Sequence, residues 1–207
     1  MRAGRCPSGG CSLPDADGGA GTIVLALAGN PNSGKTTLFN ALTGARRHVG
    51  NYPGVTVELD EGRCAYGGAR FRVVDLPGAY SLAAASPEEA VTRDFLLKQR
   101  PDVVAQVVDA SNLERGLYLA VQLRELGVRL ILVLNMADVA KARGIEFDLK
   151  RLSALLDAPV VPAVFLFFLL GKHGIVFGLG HNHGIAVLVK HCHRDFVQIH
   201  MVEKPAV

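Results

Sequence analysis

The segment Gly29-Asn30-Pro31-Asn32-Ser33-Gly34-Lys35-Thr36 constrains this chain more than any other feature of it. It follows a continuous apolar run, Ile23 to Ala28, and leads into an amphipathic stretch, Lys35 to Thr43, which Gly44 is placed to stop. An uninterrupted apolar run is what a strand buried on both faces requires, so the order is strand, glycine loop, helix. In that context G-x-x-x-x-G-K-[ST] is a phosphate-binding P-loop. Its physics is anion capture: the glycines let the backbone wrap round phosphates, while N–H groups and the helix N-terminus point at them. Lys35 reaches the β and γ phosphates, and the Thr36 hydroxyl is a ligand for Mg²⁺. Asn30, Pro31, Asn32, Ser33 and Thr37 complete the expected phosphate-binding set.

Beyond the loop, strand-like runs alternate with helical ones. Strands are expected at Arg63 to Tyr66 and Phe71 to Asp75, joined by the Gly67-Gly68 turn of a hairpin. Ser86-Pro87-Glu88-Glu89 supplies an N-cap, a proline at the first helical position and a capping-box glutamate for a helix ending before Pro101. A strand at Val103 to Asp109, a helix at Leu113 to Leu126 closed by Gly127 and a strand at Leu130 to Leu134 follow. A short helix at Leu149 to Leu156 and a strand at Pro159 to Val164 complete the alternation. The expected fold is α/β: a six-stranded, mostly parallel sheet with one antiparallel pair and helices on both faces. A length of 207 residues suits one such domain, and 49% hydrophobic with 20% charged residues excludes a disordered or fibrous chain.

Three further motifs carry chemistry. Asp75-Leu76-Pro77-Gly78 closes the strand after the hairpin, where Asp75 would face Mg²⁺ and the Gly78 N–H would sense a γ-phosphate. By itself D-x-x-G is a common turn, and its position makes it informative. Asn135-Met136-Ala137-Asp138 follows an apolar strand and matches N-[KM]-x-D. A carboxylate there accepts from the ring N–H and exocyclic amine that guanine presents and adenine lacks. Standing alone, Asp138 would read as a helix cap. Thr56, in Gly54-Val55-Thr56-Val57-Glu58, lies in the loop expected to order around Mg²⁺ and the γ-phosphate. These motifs in this order describe a GTP-binding domain.

The same residues resemble the family of bacterial ferrous iron transport protein B, in its N-terminal G domain. The resemblance runs from about Ile23 to Val164. It is carried by GNPNSGKTTLFN at Gly29 to Asn40, HVGNYPGVTVE at His48 to Glu58, DLPGAYSL at Asp75 to Leu82, SPEEAVTRDFLL at Ser86 to Leu97 and DASNLERGLYLAVQLRELG at Asp109 to Gly127. It implies a P-loop GTPase fold, GTP and GDP as ligands, and catalysis involving Lys35, Thr56 and Asn32. Asn32 would be associated with a bound K⁺ that supplies positive charge in place of an arginine finger. It also implies slow hydrolysis, because Ala79 and Tyr80 stand where a water-orienting glutamine is usual. Met136 replaces a common lysine, which implies modest nucleotide affinity. In the intact family the partner is a membrane-embedded Fe²⁺ transport domain, with the G domain at the cytoplasmic face of the inner membrane.

The chain departs from that pattern after Val164. The expected small-residue S-A pair reads Ala163-Val164-Phe165, and no regulatory helices or membrane spans follow. The longest apolar run, Ala163 to Leu170, falls well short of the ~20 residues a spanning helix needs. The expected organisation is therefore a flexible leader over 1–21, the G domain over 22–164 and an irregular tail over 165–207. Six of the seven histidines lie in that tail. His181-Asn182-His183 and His191-Cys192-His193 have spacings that suit metal, but a compositional break at the end of a family pattern reads better as an aberrant or frameshifted terminus. Cys6, Cys11, Cys64 and Cys192 form no C-x-x-C pair, and the leader lacks a secretory apolar core. A net charge of +3 without a basic block argues against nucleic acid. Two alternatives stay open: a soluble GTPase of ribosome or tRNA maturation, and a guanine-nucleotide-binding remnant without turnover.

Overall fold

The computed structural model describes residues 21–44, 47–50, 59–66 and 69–163, together with the backbone of His173–Leu179 and Ile185–His191. Seven strands form one sheet: β1 Thr22–Gly29, β2 His48–Gly50, β3 Leu59–Tyr66, β4 Ala69–Asp75, β5 Val103–Asp109, β6 Leu130–Asn135 and β7 Val160–Pro162. Their spatial order is β2-β3-β4-β1-β5-β6-β7. β1 pairs parallel with both β4 and β5, and β5, β6 and β7 continue in parallel. β3 returns antiparallel along β4, as the hairpin predicts.

The strand count is one more than the sequence suggests. The extra strand, β2, is three residues long and pairs antiparallel with β3 at the sheet edge. His48-Val49-Gly50 is too short to show any alternation, so only its partner strand reveals it. β3 itself begins at Leu59, four residues before the predicted start. Outside the sheet, His173–Leu179 and Ile185–His191 pair as an antiparallel hairpin, where the sequence suggested only an irregular tail. Ile185–His191 is glycine-free and rich in β-branched residues, whereas His173–Leu179 holds two glycines, and no strict alternation marks either.

Among the described residues the α-helices are α1 Lys35–Thr43, α2 Pro87–Gln99, α3 Leu113–Glu125, α4 Ala137–Ala142 and α5 Leu149–Leu156. The central strands are apolar along most of their length because each of their faces meets a separate core. Leu25 and Leu27 of β1 pack with Leu38 and Phe39 of α1. Ala26 and Ala28 point the other way, into a core with Phe95 of α2, Leu119 and Leu123 of α3 and Leu156 of α5. β6 repeats the division, with Ile131 and Val133 on the first side and Leu130, Leu132 and Leu134 on the second. This is the doubly covered parallel sheet that continuous apolar strands require.

One polar group is built into that core. Gln106, fully buried on β5, donates from Nε2 to the Gly116 carbonyl at 2.7 Å, fastening α3 to the sheet. The sheet topology then does the positioning. Gly29, Asp75, Asp109 and Asn135 all fall at the carboxyl ends of adjacent strands, the edge where ligands bind in open α/β sheets.

Candidate nucleotide-binding site

The loop from β1 to α1 turns through three positive-φ residues: Gly29 at +146°, Asn32 at +63° and Gly34 at +96°. Such left-handed turns aim successive backbone N–H groups into one concavity. Ser33, 2% exposed, donates from its backbone N to the Asn30 carbonyl at 3.3 Å and closes the loop. Gly34 is the N-cap of α1, with no side-chain cap and no acidic residue in the first turn. The positive end of this helix is thus left to an outside anion. Lys35 is buried at the first helical position, whereas Asn32 and Thr36 are exposed at the rim.

Asp75 stands opposite. The Thr36 hydroxyl donates to its Oδ2 at 3.0 Å, while its Oδ1 is buried and lacks a hydrogen-bond partner among the described residues. Lys35, Thr36, Asp75, Pro77 and Gly78, with Val49, Leu59, Asp60 and Leu76, line a cleft of about 400 Å³. The D-x-x-G turn is strapped onto the phosphate loop. Leu76 donates from its backbone N to the Leu27 carbonyl at 3.0 Å, and Ala79 likewise to the Gly29 carbonyl at 3.1 Å. Gly78 lies so close to Pro31 that a Cβ on it would come within 2.9 Å of Pro31 Cγ. Ala79 is itself buried, and its methyl group has no polar atom with which to orient a water.

Burial pushes the Asp75 carboxyl above its ordinary 3.8; Lys35 and the Thr36 hydroxyl pull it back only in part, and Asp60 adds to the rise. Between 3.8 and the raised value the folded protein keeps a proton that the unfolded chain has released. Stability therefore falls as pH rises through that window, and the deficit is complete above it. Asp75→Asn, which cannot ionise, is expected to melt higher than the parent protein at neutral pH without nucleotide or divalent metal. The difference should shrink to nothing in acid. Thermal unfolding of both proteins across that range checks this, and a lower neutral-pH melting temperature for the variant would contradict it.

The Asn135 to Asp138 motif is tied to the phosphate loop from the end of β6. Asn135, 4% exposed, donates from Nδ2 to the Ser33 carbonyl at 2.9 Å, joining the end of β6 to the phosphate loop. Met136 takes a left-handed φ of 59° and turns the chain into α4, leaving Asp138 exposed in the first turn. Met136 is the cap residue and makes no side-chain capping bond, so Asp138 is not a helix cap. Ala163 ties in from β7: its N–H donates to the Leu134 carbonyl at 2.7 Å and its carbonyl accepts from Ala137 at 3.4 Å. The site thus brings together Gly29 to Thr37, Asp75, Gly78, Asn135, Met136 and Asp138. Gly54, Val55 and Thr56 lie outside the described residues, as do His181, His183, Cys192 and His193. Among the described residues no group of three or more His, Cys, Asp or Glu could hold a metal, and no helix is long and apolar enough to cross a membrane.

Sequence reasoning named Asn135 but not its bond to Ser33, and assigned Ala163 no role. The anchoring role of Asn135 could be suspected only from an amide at the end of an otherwise apolar strand. Ala163 gives no chemical signal, because it acts through its backbone.

Comparison with known proteins meets this geometry directly. The family model of ferrous iron transport protein B matches residues 23–166. A Porphyromonas gingivalis Fe²⁺ transport protein A/Fe²⁺ transporter FeoB fusion protein is 51% identical over 143 residues, which cover 69% of this chain and 17% of that protein. The chain thus spans about a sixth of that relative's length. Among solved structures, the FeoB G domain of Methanococcus jannaschii is 46% identical with a TM-score of 0.63, the match covering 71% of this chain and 88% of that one. The cytosolic domain of the T. maritima FeoB iron transporter in a GDP form is 44% identical with a TM-score of 0.66, covering 70% and 57%. Glycine loop, D-x-x-G turn and N-x-x-D turn lie within the matched span, and on these grounds the chain belongs to the ferrous iron transport protein B family, residues 23–166 being its N-terminal G domain.

Proposed function

We propose that this G domain binds GTP and GDP with Mg²⁺, hydrolyses GTP slowly with help from K⁺, and in an intact transporter switches Fe²⁺ passage through a membrane domain from its cytoplasmic face. The observation that carries the reading is the 2.9 Å bond from Asn135 to Ser33. That bond joins the end of β6 to a loop shaped for phosphates, which supports reading Asp138, three residues further on, as the carboxylate that selects the base.

The residues divide the work. Backbone N–H groups of the segment from Gly29 to Thr37, Pro31 aside, hold the β and γ phosphates, and Lys35 neutralises their charge. Thr36 and Asp75 offer hydroxyl and carboxylate oxygens, and the unpartnered Asp75 Oδ1 still needs a positive or donating neighbour. Such a sparse, all-oxygen set fits Mg²⁺, which keeps most of its waters and takes few protein ligands. Thr36 and Asp75 would hold Mg²⁺, which would supply positive charge against the phosphates. Asn32, exposed on a left-handed turn of the same loop, offers an amide oxygen suited to K⁺. With Ala79 buried, placing the attacking water falls to backbone groups and Thr56, which accounts for slow turnover.

Phosphate release from GTP and ATP, each in K⁺ and in Na⁺, tests this. The expected result is release from GTP alone, faster in K⁺, with Asn32→Ala abolishing the K⁺ advantage. Equal rates in both salts and a silent Asn32→Ala would remove the K⁺ mechanism. Binding of a GTP analogue with no phosphate released would reduce the domain to a nucleotide sensor.

A further inference from the structure

The nine residues between Leu76 and Ser86 leave the sheet and lead into α2 with little backbone pairing of their own. Four successive needs are met by side chains instead. The Ser81 and Ala85 N–H groups donate to Glu89 Oε1 and Oε2 at 3.0 and 3.1 Å. The Leu82 N–H donates to Gln122 Oε1 at 2.8 Å, and the Ala83 N–H to Ser81 Oγ at 2.9 Å. Gln122 Nε2 also donates to Ser81 Oγ at 3.4 Å. On the other side of Gly78, the buried Thr92 hydroxyl donates to the Pro77 carbonyl at 3.1 Å.

Glu89 and Thr92 belong to α2, the helix this loop runs into, so they move with it. Gln122 is different: it lies on α3, 40 residues away in the chain, and α3 is fastened to the sheet through Gln106 and Gly116. It is the group in this cluster that refers the loop to the fixed frame holding the phosphate loop. Gly78, four residues before Leu82, is the proposed γ-phosphate sensor. We infer that Gln122 is a positioning residue for GTP hydrolysis, acting through Leu82 and Ser81 to set where the Gly78 N–H and the turn after it sit when a γ-phosphate is present.

This rests on the proposed GTPase reading and predicts a specific split. GDP has no γ-phosphate, so loosening this loop should spare GDP affinity and slow the chemical step. Gln122→Met keeps the side-chain length and removes both polar atoms. Because a misplacement of about 1 Å can cost on the order of a hundredfold in rate, a fall of about tenfold in kcat is expected for this partial release. GDP affinity should stay within about twofold, as expected for a contact made only on the path to the transition state. Gln122→Glu keeps an acceptor for Leu82 and should recover most of the lost rate. A residue serving stability alone would instead lower melting temperature and GDP affinity together, with no rescue by Glu.

The experiment is single-turnover GTP hydrolysis, GDP calorimetry and thermal melting on the parent and both variants of the full chain. Amide exchange at Leu82 is measured in the parent with GDP and with a non-hydrolysable GTP analogue. An unchanged kcat in Gln122→Met, or a parallel loss of rate, affinity and stability, overturns the inference. Should Gln122→Met fail to fold, the parent's exchange decides: protection of Leu82 supports the clamp, and exchange as fast as an open loop with both nucleotides overturns it. If the parent hydrolyses no GTP, the functional reading has failed, while Leu82 protection still reports separately on the clamp.

Discussion

Replacing Asp138 with Asn should remove the preference for guanine and transfer it to xanthine. Guanine presents a ring N–H and an exocyclic amine on the edge that a carboxylate at this position would meet. Hydrogen bonds to a charged acceptor are worth about 1.5–3 kcal/mol each; Asn keeps an acceptor for the ring N–H and loses the bond from the amine, so the cost is roughly 1.5–3 kcal/mol, or about 10- to 10²-fold in affinity. Asp138 is exposed without nucleotide; water has already stabilised its charge, and the lower end of that range applies. The Asn amide points an N–H donor where guanine also donates, and that mismatch is not compensated. Xanthine carries a carbonyl in place of the amine, and an amide can donate to it. Calorimetry of GDP, ADP and xanthosine diphosphate with magnesium, on parent and variant, gives the answer. A parent that accepts ADP as readily as GDP, or a variant that still prefers GDP, would sink the assignment of the base.

The contrast between what this edge of the sheet shows and what it hides follows from the range of the interactions. Lys35, Thr36, Asp75 and Asp138 are legible because each sits at a fixed offset inside a short motif, and the flanking periodicity places that motif on a strand end. α1 runs from Lys35 to Thr43 with Gly44 as its left-handed cap, as its glycine predicts. The hairpin of β3 and β4 is likewise local. Gln122 and Asn135 are not legible in the same way, since their partners are 40 and 102 residues distant. Glu89 shows the limit most clearly. Ser86 Oγ does accept from the Glu89 N–H at 3.2 Å, the half of a capping box that sequence spacing guarantees. The glutamate side chain, however, serves the Ser81 and Ala85 amides, a use set by the path of the preceding loop. β2 escapes notice for a related reason: three residues hold no period, and the strand exists through its partner.

Gly29→Ala should be the most damaging single-methyl change in the domain. Gly29 ends β1 directly beside Val107 of β5, with a φ of +146° that side-chain-bearing residues rarely adopt. A Cβ there would stand 2.2 Å from the Val107 carbonyl oxygen and 3.1 Å from Ser33 Oγ. Neither the oxygen nor the strand that holds it can turn aside, because Val107 is part of the central parallel ladder. Backbone strain of about 1–3 kcal/mol therefore adds to the separation of two core strands, and a total loss above about 3 kcal/mol is expected. The damage reaches the ligand as well, since the Gly29 carbonyl accepts from Ala79 and joins the phosphate loop to the D-x-x-G turn. Gly44→Ala is the matched control. It also has a positive φ, +65°, yet nothing lies within 4 Å of an added Cβ, so only the intrinsic cost of a left-handed residue remains, about 1 kcal/mol. Urea unfolding of the three proteins, each with and without GDP and magnesium, separates the effects. Gly29→Ala should lose both its midpoint and the shift that nucleotide confers, whereas Gly44→Ala should keep the shift in full. Equal midpoints for the two variants would mean that β1 and β5 can part at this point without cost, and the close approach that shapes the phosphate loop would then be wrong.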